Sequence, residues 1–222
     1  MLRISPTTGL SLFRECPRCF WLHYNESVHR PRGIFPSLPG GMDLVIKKYF
    51  DKFRGKLPPE IEDKVEGKLL PDLELIEKWR NWRTGLEYVD KKLDATLFGA
   101  LDECLVDDEG YYIPLDYKTK GSAPKDGDSE KYYQTQLDTY AFLLNHNGYK
   151  ARDFAYLVYY FPKEVKKNGV VEFSVEPIRV SIDLKRAQKT FEDAVLLLQS
   201  SIPKTHSSCE YCLWIGNRLE FE

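Results

Sequence analysis

Asp102, Asp116 and Lys118 are the residues of this chain whose types and spacing could act together on one substrate. They lie in TLFGALDECLVDDEGYYIPLDYKTK, residues 96–120, which reads as two strand-like runs joined by DDEG. With Asp108 and Glu109 in a type I turn and Gly110 left-handed, the loop has three residues and a bulge, a common hairpin form. Asp107 then faces Tyr111, and counting back sets Asp102 opposite Asp116 and Ala100 opposite Lys118. Strand side chains alternate, so Asp102, Asp116 and Lys118 share a face, with opposing Cβ atoms about 4.5–5.5 Å apart. Leu97, Leu101, Leu105, Ile113, Leu115 and Tyr117 fall on the other face and read as core. Pro114 has no amide donor and calls for an edge or an irregularity in the second strand.

Facing carboxylates repel each other and destabilise a sheet, so their persistence points to a cation between them. Hard oxygen ligands suit Mg²⁺ or Mn²⁺, which can lower the pKa of a bound water and hold a phosphate oxygen. Lys118 would orient that water or offset charge building on phosphorus. An Asp-x-Lys pair alone is too common to carry this reading, and its surroundings must support it.

A second set of ligating residues stands toward the two ends of the chain. Cys16 and Cys19, with Cys209 and Cys212, make two C-x-x-C pairs. Such a set can hold a tetrahedral Zn²⁺ or an iron–sulfur cluster, and spacing does not choose between them. Cys104 falls on the acidic face by the hairpin register but reads as an inert buried thiol. His23, His29, His146 and His206 show no paired ligand spacing.

These residues need elements to position them. Residues 8–24 read as helical despite Pro17, and 42–54 and 72–83 carry apolar residues at helical spacing. Strands are expected at 86–91, 96–106 and 111–119, a helix at 129–146, strands at 154–161 and 171–182, and a helix at 183–199. Pro/Gly-rich segments at 31–41 and around Pro58–Pro59 mark loops. That order predicts an α/β (α+β) chain with a mixed central sheet flanked by helices.

The 222 residues can bury a core, and 42% hydrophobic, 14% aromatic and 30% charged residues are those of a folded globular chain. A net charge of -2 gives no overall attraction to nucleic acid, so binding would rest on local patches and bound cations. Arg3, Arg14, Arg18, Arg30 and Arg32, and Lys163, Lys166 and Lys167, are the local excesses. No apolar run has the length of a membrane span, and the first residues lack the apolar segment of a secretory signal. A cytoplasmic protein is expected, in which disulfides are disfavoured.

GALD at 99–102, DYKTK at 116–120 and QTQLDTYAF at 134–142 resemble, in order and spacing, the RecB-like branch of the PD-(D/E)xK nucleases. The resemblance implies a restriction-endonuclease-like fold and makes Asp102 and Asp116 metal ligands, Lys118 the catalytic lysine, and Gln136 and Tyr140 the pair of a Q-x-x-x-Y helix. Four apart, Gln136 and Tyr140 share a helix face. The Tyr117 backbone carbonyl is a further metal ligand that the family implies. SPTTGLSLFRECPRCFWL at 5–22 and CEYC at 209–212 resemble the ends of relatives that hold a [4Fe–4S] cluster, among them CRISPR-associated exonucleases and helicase-nucleases.

This chain departs from that pattern in two ways. Relatives usually place one cysteine first and three last, whereas here the division is Cys16 and Cys19, then Cys209 and Cys212. The likeness favours a [4Fe–4S] cluster, with Zn²⁺ as the alternative. Many relatives also carry an active-site histidine near the place of Asp43, which is either a substitute ligand or a helix N-terminal residue favoured by the macrodipole. Glu87 matches an assisting carboxylate of some relatives, or else simply faces solvent. The expectation is one nuclease domain over 1–222: a mainly helical part at 1–85, a catalytic sheet and helix at 86–182, and a C-terminal helix and cysteine tail at 183–222. By resemblance it degrades DNA, as a single-strand exonuclease, with CRISPR adaptation or DNA repair proteins as partners. The rivals are an inactive nuclease-fold subunit that binds DNA or assembles with partners, and a zinc-stapled structural protein.

Overall fold

The computed structural model describes residues 2–221 apart from Arg32, Ile34 and Phe35. The loop expected at 31–41 therefore falls partly outside the described residues, as does Arg32. From Ser37 onward that segment is already helical: α3 runs Ser37–Phe50. Pro39, in the first turn, needs no intrahelical N–H partner, so the Pro/Gly run does not prevent the helix.

The opening segment is broken where a single helix was expected. A π-turn at Pro6–Leu10 leads into α1, Ser11–Glu15. The chain is extended at Cys16, and α2 restarts over Pro17–Asn25 with Pro17 in its first turn. Proline cannot continue α1 but suits the start of α2, so the break falls at Cys16 and makes it the N-cap.

Two sheets form where one was expected. Strands β1 (Leu2–Ile4), β3 (Leu86–Asp90) and β4 (Ala95–Gly99) make a three-stranded sheet in the order β1-β4-β3. The second sheet contains β2 (Lys68–Leu69), β5 (Glu103–Val106), β6 (Tyr112–Thr119), β7 (Phe154–Val165) and β8 (Val171–Ser181), in the order β2-β5-β6-β7-β8. The run expected as one strand over 96–106 thus divides at Ala100–Asp102. There Leu101 N–H donates to the Trp79 carbonyl at 2.9 Å, at the end of α4 (Leu73–Arg80), instead of to a strand. Leu97 and Leu101 consequently pack in a different cluster from Leu105, Ile113, Leu115 and Tyr117.

Within the second sheet β6 and β7 are parallel and the other pairs antiparallel. A parallel pair requires a crossover, and α5, Asp128–His146, supplies it, laying its length across one face of the sheet. Leu137 of α5 packs there on Ala155, Leu157 and Tyr159. The opposite face is covered by Ile46 and Phe50 of α3 with Ile61. Helix α6, Leu184–Leu198, lies against α5, where Arg186 ion-pairs with the buried Asp138. A terminal helix α7, Glu210–Leu219, follows. No helix among the described residues is long and apolar enough to cross a membrane.

Candidate active site and cysteine centre

The hairpin has the expected register. Glu103 faces Leu115, Leu105 faces Ile113, and Val106 faces Tyr112. Asp107 N–H donates to the Tyr111 carbonyl at 3.0 Å, and Gly110 has φ of +81°. Extending the ladder by one residue sets Asp102 opposite Asp116. Pro114 lies in β6, a central strand, yet its missing donor costs no ladder bond. Tyr112 bonds Lys150 and Arg152 on the β7 side, and the β6–β7 ladder resumes only at Leu115, so Pro114 sits in the gap.

The face under α5 gathers the charged residues. Lys118 ion-pairs with Asp116, and the amide of Gln136 spans both: its Nε2 donates to Asp116 Oδ1 at 3.2 Å, and its Oε1 accepts from Lys118 Nζ at 3.4 Å. Gln136 Nε2 also donates to the Tyr140 hydroxyl at 2.8 Å. Asp116 has no exposed surface. Its Oδ2 is buried with no directed hydrogen bond, only the charge of Lys118 lying against it. Burial, reinforced by the Asp102 carboxylate and opposed by Lys118, pushes Asp116 up to about 7. Desolvation works against the Lys118 ammonium, but Asp116 together with Tyr133 and Asp102 raises it overall.

Asp102 behaves oppositely. Burial alone would raise it, but Lys47 of α3 holds it below the ordinary carboxylate value, with Nζ 2.8 Å from its Oδ1. The same ammonium is 2.8 Å from Asp43 Oδ2. Asp43 is well inside α3, one turn before Lys47, so the expectation of a first-turn residue stabilised by the macrodipole does not hold. Instead it sits one ammonium away from Asp102. Lys47 was not singled out in the sequence, although its i,i+4 spacing from Asp43 was visible there.

Tyr117 turns its ring to the face opposite Asp116 and Lys118, where its hydroxyl donates to Glu103 at 3.0 Å. Glu103, also without exposed surface, is held by Arg54 at 2.7 Å and Arg80 at 3.1 Å. Both arginines ion-pair with Asp51 as well. Arg80 Nε donates to the Asp102 carbonyl at 2.8 Å, so this network fixes the backbone that carries Asp102. Glu87 lies on β3 in the other sheet, its carboxylate 2.5 Å from Arg3. It touches none of Asp102, Asp116 or Lys118. Arg18, Arg30, Lys163 and Lys166 likewise have protein partners.

The four terminal cysteines converge, with all four sulfurs within 4.8 Å of one another. The Cys16–Cys212, Cys19–Cys209 and Cys19–Cys212 sulfurs are 3.6, 3.7 and 3.9 Å apart. Cys16 caps α2 and Cys209 caps α7, so both pairs open a helix. Burial would raise Cys209, but the Cys212 backbone N–H and the adjoining thiols hold it to about 7; burial pushes Cys19 up to about 12. Trp21 and Asn25 of α2 donate to the carbonyls of Ser200 and Leu198, tying α2 to the segment after α6. Cys104 is fully buried, away from the four, and its thiol is raised well above its ordinary value by burial.

A tetrahedral ion with sulfur ligands at about 2.3 Å sets those sulfurs about 3.8 Å apart, which the observed spacing fits. At the acidic site, the facing carboxylates of Asp102 and Asp116, each held only by a lysine or an amide, offer hard oxygen donors of the kind that fit a divalent cation.

A family model for the PD-(D/E)XK nuclease superfamily matches residues 42–216. Among solved structures, the one described as the crystal structure of SSO0001 superposes with a TM-score of 0.51 at 20% identity, covering 96% of this chain and 84% of that one, a likeness of fold. No curated protein matches.

Proposed function

Because the chain belongs to the PD-(D/E)XK nuclease superfamily, we propose that it is a metal-dependent deoxyribonuclease that degrades single strands from an end. The observation that carries this reading is the buried Asp116 carboxylate. Its second oxygen carries only the ion pair with Lys118, and burial beside Asp102 raises the group to about 7. Asp102 and Asp116, with the Tyr117 carbonyl and Asp43 as further donors, would hold Mg²⁺ or Mn²⁺. When bound, the ion would supply a water of lowered pKa and a contact to a phosphate oxygen. Lys118 presents its ammonium to the developing charge on the phosphoryl oxygens. Gln136 restrains both Lys118 and Asp116, and Tyr140 restrains Gln136. Lys47, now on Asp102, would have to give up that carboxylate for a cation to reach it.

For the cysteine centre the sulfur spacing favours a single Zn²⁺ over the [4Fe–4S] cluster that the resemblance implies. A four-iron cube places its cysteine sulfurs on outer corners, and these four would have to swing apart to reach them. Colourless protein with one zinc per chain supports this; brown anaerobic protein containing iron and sulfide overturns it.

The activity is tested by DNA degradation with Mg²⁺ or Mn²⁺, comparing wild type, Asp116→Ala and Lys118→Ala. Loss in both variants is expected, and equal rates in all three reject the assignment. One contact favours a second reading, an inactive nuclease-fold subunit that binds DNA or assembles with CRISPR adaptation or repair proteins: the Lys47 ammonium already sits on Asp102. Firm DNA binding without cleavage under any divalent ion would select it.

A further inference from the structure

Beside the acids lies a cavity of about 290 Å³ that the reaction chemistry does not use. It adjoins the site directly: Tyr140, which bonds Gln136, and Ala100, two residues before Asp102, both line it. Trp82 and Phe98 contribute aromatic faces, and Ser5 and Thr8 contribute hydroxyls at one edge. Those hydroxyls are 2.7 Å apart and form one polar corner.

Trp82 is the unusual residue here. It is 62% exposed, although a tryptophan of this size normally finds apolar cover. It projects from a turn that is pinned on both sides. Thr84 N–H donates to the Asn81 carbonyl at 3.0 Å, and Arg83 N–H to the Asn81 side chain at 2.9 Å. Gly85 packs so tightly on β4 that a Cβ would come within 2.4 Å of the Gly99 carbonyl oxygen. The Arg83 guanidinium stands 5.0 Å from the Trp82 ring. Phe98 is similarly backed by Arg3 at 4.7 Å. The turn therefore holds an exposed indole in a fixed place at the wall of the cavity that Ala100 and Tyr140 also line.

We propose that this cavity receives one unpaired nucleobase of the substrate strand, stacked on Trp82, while the adjoining phosphate meets Asp102 and Asp116. The proposal rests on the nuclease reading and deepens it. The volume is at the lower limit of small-ligand cavities and suits one ring system. Stacking is indifferent to base identity because every base has a π-face, and the hydroxyl corner can donate to or accept from any base edge. A base inside a duplex is stacked and paired and cannot enter without being extruded. The cavity thus supplies a physical basis for preferring single strands.

The test is equilibrium binding of oligothymidine and of an abasic oligonucleotide of equal length, with Ca²⁺ in place of Mg²⁺ so that the strand stays intact. Trp82→Ala should weaken oligothymidine binding by about 5- to 150-fold, the range for losing one stacked base. It should leave abasic binding unchanged, and Trp82→Phe should restore most of the loss. Indole emission should be quenched by oligothymidine in wild type and less so in Trp82→Phe. Unaltered oligothymidine affinity in Trp82→Ala, or an equal loss for both oligonucleotides, overturns the proposal. The two readings fail separately. Cleavage that ignores Trp82 sinks the base pocket alone, and base-selective binding without cleavage sinks the nuclease activity alone.

Discussion

Asp116 and Glu103 are both carboxylates without exposed surface, on neighbouring strands of one sheet, yet their surroundings differ. Glu103 has two arginines and a tyrosine hydroxyl on its oxygens, and the arginines are balanced by Asp51. Asp116 has one amide on one oxygen and only the Lys118 ion pair on the other, and burial pushes it up to about 7. Burial is the same, but completeness is not. A buried acid whose every lone pair is engaged belongs to the scaffold, because any further ligand would displace a partner. One left incomplete, with a raised pKa, is where an external ligand gains most. The adjacent pair Asp102 and Glu103 points the same contrast to opposite faces of one strand end.

The comparison breaks most readily at Glu103. Glu103→Gln leaves Arg54 and Arg80 under-compensated in the interior and should cost about 3–5 kcal/mol. At about 2–4 °C per kcal/mol for a chain of this size, calorimetry should show Tm falling by roughly 6–20 °C. A fall of under about 2 °C would mean that the network is not structural.

Asp116→Asn should act through pH in metal-free protein. The folded pKa lies above the unfolded one, so between about pH 4 and 7 the native state binds more protons than the unfolded chain. Stability from this group therefore declines as pH rises through that window, and the penalty is complete above it. The asparagine variant cannot ionise at this position and leaves Lys118 without its counter-charge, so its stability should vary less than that of wild type between pH 4 and 8. Mg²⁺ should raise the Tm of wild type and not of the variant. An asparagine variant whose stability changes as steeply as that of wild type across this window would reverse the assignment.

Lys47 lies between the two cases. Lys47→Met removes the ammonium that competes for Asp102 and should tighten Mn²⁺ binding by about tenfold, near 1.4 kcal/mol, as read by calorimetric titration. Weaker Mn²⁺ binding would place Lys47 with Arg54 and Arg80, as part of the scaffold. The smallest effect belongs to the half-exposed Arg3–Glu87 pair: Glu87→Ala should change stability by about 1 kcal/mol or less. A larger drop in melting temperature would show that β3 depends on that pair.

The hairpin was legible from sequence because its information is local. Gly110 fixes the turn, and strand alternation then places Asp102, Asp116 and Lys118 on one face. Helix α5 was legible for the same reason, since a long periodic segment between parallel strands has one place to go. What was missed is long-range. Strand β1 has three residues, too few for any period, and forms only by pairing with β4, more than ninety positions along the chain. The break at Ala100–Asp102 exists because Trp79 and Arg80 claim the backbone there, which no property of GALD reveals. Lys47 and Glu103 gain their roles only once α3, α4 and β5 are brought together.

Cys16 and Cys212 are separated by 196 positions and meet at 3.6 Å. An ion that stays on its thiols while the rest of the chain opens turns the denatured ensemble into a ring of nearly the whole polypeptide. Closing a loop of that length removes about 5 kcal/mol of chain entropy from the unfolded state. A chain denatured with its ion retained should accordingly refold from a smaller conformational space than one stripped by a chelator.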